Sequence, residues 1–280
     1  MTEALERAAA LLAEAEALLI CAGAGMGVDS SLPDFRGDEG FWRAYPPYAR
    51  LGLRFEELAD PVHFAADPEL AWGFYGHRLK LYRETVPHAG FEILRRWGSA
   101  LPGGVRVFTS NVDGQFQRAG FTEDQIAECH GSIHHLQCVF PCSRRISPAD
   151  GIEVEVDPET MRAVPPLPEC PDCGELERPN ILMFGDSTWV PDRSQAQLDA
   201  LNAWRRGLHG ERLVVVELGA GQAVPTVRRY AELASAASQA LIRINPREPE
   251  VRHGRGISIP MPALAALTEI DALRSPLHNC

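Results

Sequence analysis

Apolar side chains follow two rhythms along this chain. From residue 3 to 19 they recur at Leu5, Ala8, Leu11, Leu12, Ala15, Leu18 and Leu19, the spacing of one helix face. Short apolar runs without alternation follow: ALLICAG (17–23), VRVFTSN (105–111), NILMFGD (180–186), RLVVVELGAG (212–221) and ALIRIN (240–245). A strand with one wet face alternates, so unbroken runs suit parallel strands covered on both faces. Helical patterns at 86–99 and 224–238 separate some of them, and MPALAALTEIDAL (261–273) reads as a closing helix. The pattern predicts a doubly wound, Rossmann-like parallel α/β sheet whose functional loops leave the carboxyl ends of its strands.

Two segments break the alternation. Residues 41–85 are rich in aromatics, with AWGFYGHRLKLYR (71–83) the clearest helix, and residues 134–178 hold paired cysteines and the proline-rich VPPLPECPDCG. The expected division is a nucleotide-binding unit of residues 1–40, 101–133 and 179–280, and a smaller helical plus zinc-ribbon lobe of residues 41–100 and 134–178. A cleft between the two is the natural ligand site. A chain of 280 residues, 45% of them hydrophobic, can bury such a core.

Composition narrows the partners. The formal net charge of -11, from 27 basic and 38 acidic residues, argues against the broad basic surface that nucleic acid requires. No apolar stretch is long enough for a membrane span, and the acidic, helical N-terminus is unlike a signal or transit peptide, which points to the cytoplasm. Seven cysteines in such a chain suggest thiols or metal ligands before disulfides.

Candidate chemistry clusters at the predicted loops. Gly23, Gly25 and Gly27 form a glycine turn after the first strand, where backbone amides can approach a pyrophosphate. A bare turn explains the same residues. A dehydrogenase would place an acid ~20 residues on, at the end of the next strand, and no unit of that length is visible. Instead comes LPDFRG, in which Pro33 stiffens the backbone, Asp34 can receive an amide, Phe35 can cover a ring and Arg36 can fork onto an anion. The second strand ends in TSNVDGQF, placing Asn111 and Asp113 at the sheet edge as ligand contacts or as helix caps. ECHGSIHHLQC gathers Cys129, His130, His134 and His135. His130 ranks first as a general base; a Cys129 nucleophile and metal ligation by His134 and His135 are the competing readings. Cys138 with Cys142 and Cys170 with Cys173 have the spacing of a four-thiolate structural zinc site.

In this order, GAG, PDFRG, TSNVD, CHG, the cysteine pairs, RPNILMFGD and a late IN resemble the sirtuin family of NAD-dependent protein deacylases, over nearly the whole chain. The resemblance implies a structural Zn2+ and NAD as co-substrate. It places Ala22, Gly23, Ala24 and Gly25 at the phosphates, Asp34, Phe35 and Arg36 at the nicotinamide, and Ser110, Asn111 and Asp113 at its ribose. Gly219 and Asn245 would lie around the adenosine half. His130 is the implied base, and Met183, Phe184 and Gly185 the edge that pairs with an acylated-lysine peptide. The implied reaction moves the acyl group from lysine to ADP-ribose and releases nicotinamide; ADP-ribosyl transfer to protein and NAD hydrolysis are the alternatives on this fold. A zinc-ribbon binding module on a silent α/β core is the reading from another class.

The chain departs from the family pattern at Gly27, Ser110, Asp186 and Gly221, where Ser, Gln, Glu and Ser are usual. Each lost hydrogen bond to the cofactor is worth ~1 kcal/mol. Tyr75 and Arg78 have the Tyr-x-x-Arg spacing of the desuccinylase and demalonylase branch, and i, i+3 residues share a helix face. A phenol and a guanidinium there could hold a carboxylate; a core tyrosine beside a solvated arginine is the bland alternative.

Overall fold

The computed structural model describes residues 1–33, 41, 45–50, 52–251 and 256–274. Its principal elements are α1 (Thr2–Ala13), β1 (Ala17–Ala22), α2 (Pro68–Glu84), α3 (Ala89–Ser99), β2 (Val105–Thr109), β3 (Ile126–Glu128), β4 (Gly131–Cys138), β5 (Ser147–Pro148), β6 (Glu155–Val156) and β7 (Ala163–Val164). There follow β8 (Glu177–Ile181), α4 (Asp192–Gly207), β9 (Leu213–Leu218), α5 (Thr226–Ser235), β10 (Leu241–Ile244), β11 (Ile257–Ile259) and α6 (Ala263–Arg274).

Six strands form one parallel sheet in the order β11-β10-β9-β1-β2-β3. The pleat assigns the residues of β1 to two faces. Leu18, Ile20 and Ala22 pack with Leu5 and Leu12 of α1, Leu94 and Trp97 of α3, and Leu267 and Ile270 of α6. Leu19 and Cys21 pack on the opposite side with Leu201 of α4 and Val227 and Ala231 of α5. Both faces are therefore covered, which is why these strands carry no polar alternation. Strand order reverses at β1, so the exits of β1, β2 and β9 open into one crevice.

A third cluster lies apart, built on Trp72, Phe74, Tyr75 and Leu79 of α2 with Phe41, Tyr48 and Ile133. Beside it β5-β4-β8 form a small antiparallel sheet and β6-β7 a hairpin. Trp72 Nε1 donates to the Glu177 carbonyl at 2.9 Å, joining α2 to β8. Pro68 at the start of α2 and the Asp67 side chain accepting from Leu70 N–H start that helix where the sequence pattern predicts one.

Two expectations need correction. The first helix ends at Ala13, not 19, because an apolar strand beginning at Ala17 prolongs any apolar period. The 180–186 run is not a strand of the parallel sheet: β8 spans Glu177–Ile181 and pairs antiparallel with β4. The three-residue strands β3 and β11 and the polar helix α4 carry too little apolar pattern to be read. Among the described residues, no helix is long and apolar enough to cross a membrane.

Candidate functional site

A cavity of about 650 Å³ opens over the crevice. Gly23 and Ala24 after β1, Ser110 after β2 and Gly219 to Gly221 after β9 line it together with His130, Asn111 and Asp113. The two glycine turns meet backbone to backbone. Gly25 N–H donates to the Gly219 carbonyl at 3.0 Å. A Cβ on Gly23 would stand 2.8 Å from Ala220 Cα, and one on Gly219, whose φ is +61°, 2.4 Å from the Gly25 carbonyl carbon. Glycine is required at both places for the approach. Ala22 and Gly25 are tied to neighbouring strand exits and do not line the cavity: the Ala22 carbonyl accepts from Ser110 N–H and from the Thr109 hydroxyl.

Asn111 and Asp113 have separate jobs. The Asn111 amide donates to the Gly23 carbonyl at 3.0 Å, clamping the first glycine turn to the second strand. Asp113 accepts from Gln115 N–H at 2.9 Å, as a helix cap would, yet also faces the cavity. Burial raises its carboxyl to about 6; the Gln115 N–H opposes that rise and the nearby Glu128 adds to it. His134, for which the sequence offers only metal ligation beside His135, instead donates from Nε2 to the Asp113 carbonyl at 2.9 Å. That bond sets the backbone from which the Asp113 side chain projects.

His130 lies just before β4 and lines the cavity, its carbonyl accepting from Leu182 N–H at 2.9 Å. Gly131 has φ +78°, and a Cβ there would fall 2.0 Å from the Asn180 carbonyl. Glycine after the histidine thus lets the strand lie against β8. Burial lowers the His130 pKa, so the ring is a neutral imidazole at neutral pH. Burial pushes the neighbouring Cys129 thiol up to about 12, which removes the thiolate a nucleophile requires.

Another wall carries side-chain chemistry. Tyr75 and Arg78 of α2 both line the cavity, with Tyr82 beside them. Arg78 is 5% exposed, so the solvated-arginine reading does not hold. Met183 and Phe184 line the cavity near Phe55, whose ring stands 6.3 Å from that of Phe184, while Gly185, with φ +65°, turns the chain just outside. Phe184 N–H is bonded to the Ala59 carbonyl at 3.0 Å. Asp186 reaches Arg178 at 2.8 Å in a fully buried ion pair and also accepts from Thr188 N–H. The shorter acid therefore still anchors this turn.

Asn245 is buried and donates to the Ala220 carbonyl at 2.8 Å, supporting the second glycine turn from behind. Arg247, Glu248 and Gln222, unmarked by any motif, line the cavity, and Gln222 N–H donates to Glu248 at 3.0 Å. Asp34, Phe35 and Arg36 lie outside the described residues.

Away from the cavity, the Sγ atoms of Cys138, Cys142, Cys170 and Cys173 all lie within 4.8 Å of one another. The 138–173 and 142–170 pairs stand 3.8 and 3.7 Å apart. Ligands at ~2.3 Å around a tetrahedral zinc stand ~3.8 Å from each other, so the thiols fit that ion as a closed structural site.

The Sir2 family model matches residues 23–203. The chain is 31% identical over 242 residues to NAD-dependent protein deacylase 1 of Archaeoglobus fulgidus, covering 85% of this chain and 84% of the relative. It is 30% identical over 264 residues to NAD-dependent protein deacylase 1 of Pseudomonas aeruginosa, covering 93% and 95%. A crystal structure of a Sir2 homolog–NAD complex superposes with a TM-score of 0.71 at 26% identity, covering 95% of this chain and 92% of that one.

Proposed function

Because this chain belongs to the Sir2 family, we propose that it is an NAD-dependent protein-lysine deacylase that accepts acidic acyl groups such as succinyl as well as acetyl. The observation that carries the reading is the single cavity that joins two glycine turns, Asn111, Asp113 and His130 to a wall bearing Tyr75 and Arg78. NAD would enter as co-substrate, supplying the ribose that takes the acyl group and releasing nicotinamide. The parallel-sheet unit, on which α3 also packs, would hold it, and the lobe built on α2 and residues 134–178 would shape the acyl-lysine tunnel.

The chain's own groups suit these tasks. In the two glycine turns the Gly23, Gly25 and Gly219 N–H groups are bonded to the Leu218, Gly219 and Ile244 carbonyls, so a pyrophosphate would take the amides of Ala24, Ala220 and Gly221, which line the cavity together with Arg247. Asn111 keeps the first turn in place. His130, neutral through burial, can take a proton from a ribose hydroxyl. Asp113, ionised above about 6, can orient the ribose and nicotinamide groups beside it. Apolar Ile181, Met183 and Val112 exclude water around the acyl-lysine stem. A peptide pairing along 183–185 would use backbone groups other than the Phe184 N–H, which Ala59 already takes.

Mass spectrometry of acetylated and succinylated lysine peptides incubated with NAD tests this. Wild type should yield deacylated peptide and O-acyl-ADP-ribose, and His130→Ala should lose both by about 10²–10⁴-fold. Nicotinamide release without deacylation would move the assignment to ADP-ribosyl transfer or NAD hydrolysis.

A further inference from the structure

We propose that Tyr82 is a specificity-determining residue of the acyl wall, which holds the Arg78 guanidinium and offers its own hydroxyl proton to the distal carboxylate of an acidic acyl group. This role rests on the acidic-acyl reading above.

Tyr75, Arg78 and Tyr82 fall at i, i+3 and i+7 of α2, two turns of one helix face. All three line the cavity and are almost fully buried. Arg78 donates from Nε at 3.0 Å and from Nη2 at 2.8 Å to the same Tyr82 oxygen. A phenolic oxygen has two lone pairs and one proton. Arg78 takes both lone pairs, so the proton must be given to another acceptor, and the cavity that Tyr82 lines is where such an acceptor can arrive. The proton is present at neutral pH, because burial raises the phenol pKa against the opposing pull of Arg78.

The guanidinium is also walled by aromatic faces, with its carbon 5.0 Å from the Phe74 centroid, 5.3 Å from Tyr82, 5.6 Å from Tyr75 and 5.8 Å from Phe55. These rings fix the cation through its contact with their faces. A carboxylate reaching this point would meet a positioned guanidinium and the hydroxyl of Tyr82 together. An acetyl group has no acceptor to offer here, since its one carbonyl is the reacting group. Loss of the Tyr82 hydroxyl should therefore be felt by one substrate and not by the other.

The test is kcat/KM for wild type and Tyr82→Phe on one peptide, acetylated or succinylated, with NAD saturating. The phenyl ring keeps the packing, and deacetylation reports an intact fold. The succinyl value should fall about 10–100-fold, mainly through KM, while the acetyl value stays within about threefold. Equal losses on both substrates, or an unchanged ratio, would overturn the role of Tyr82. A wild type that removes acetyl but never succinyl would overturn the acidic-acyl reading itself, and this role with it.

Discussion

The cavity has two walls made of different material. At the strand exits, the wall is backbone: Gly23 and Gly219 touch main chain to main chain, with Asn111 and Asn245 bonding to carbonyls of those turns. Along α2 the wall is side chain: a buried guanidinium, two phenols and flanking rings. A backbone wall tolerates changes of side chain so long as the turns close. That accounts for a nucleotide crevice which keeps its form with Gly27, Ser110 and Gly221 in place of larger polar residues. A side-chain wall has no such tolerance, and there one substitution should change the substrate.

The largest test concerns a site in neither wall. Stripping zinc with a chelator, or Cys170→Ser, should unfold the small β5-β4-β8 sheet, since structural zinc contributes folding energy outright, on the order of 10 kcal/mol in small zinc modules. Circular dichroism melts would show a collapse that NAD does not prevent. An unchanged melt would remove the cysteines from the structural account.

Next is the backbone wall. Gly23→Ala puts a Cβ 2.8 Å from Ala220 Cα, which side-chain motion cannot relieve. Overpacking of this kind costs about 1–3 kcal/mol, and NAD affinity measured calorimetrically should weaken about 10–100-fold on both peptides alike. A selective effect on one acyl group would blur the distinction between the walls.

Asp113 offers a pH test. Its carboxyl is raised from 3.8 to about 6 in the fold, chiefly by burial. Such a group stabilises the folded state below its ordinary pKa, and that contribution is lost as pH rises through about 6. Above that, an ionised buried carboxylate costs on the order of 3 kcal/mol. Asp113→Asn should therefore gain stability over wild type between pH 4 and 7 while losing activity. Parallel melting curves across that range would contradict the assignment. Wild-type activity should rise through about pH 6 as Asp113 ionises.

The smallest effect belongs to Phe184, which is 44% exposed at the cavity rim. Phe184→Ala should raise peptide KM severalfold and leave NAD affinity unchanged, as the loss of part of a buried aromatic contact implies. Steady-state titrations of each substrate would separate the two.

What could be read from the sequence follows the range of the cause. β1, β2, β9 and β10 stand out because strands covered on both faces need unbroken apolar runs. The β8 strand hid because Arg178 and Asn180 are buried yet polar, Arg178 pairing with Asp186 and Asn180 donating to Gln137. The glycine turns and the cysteine pairs were legible because spacing alone dictates their geometry. Tyr82 was not: its role depends on two bonds from Arg78 and on a cavity that no spacing rule reveals. Arg247 and Glu248 were missed for the same reason, since only the fold of the chain after β10 brings them to the cavity.

The measurement that tests the two-wall account most directly is Arg78→Met, assayed in one preparation for NAD affinity, deacetylation and desuccinylation. NAD affinity should be unchanged, deacetylation should stay within a few-fold of wild type, and desuccinylation should fall about 10–100-fold or more through loss of a charge-assisted contact. Deacetylation and desuccinylation falling together, or NAD affinity lost with them, would show that the cavity cannot be divided in this way.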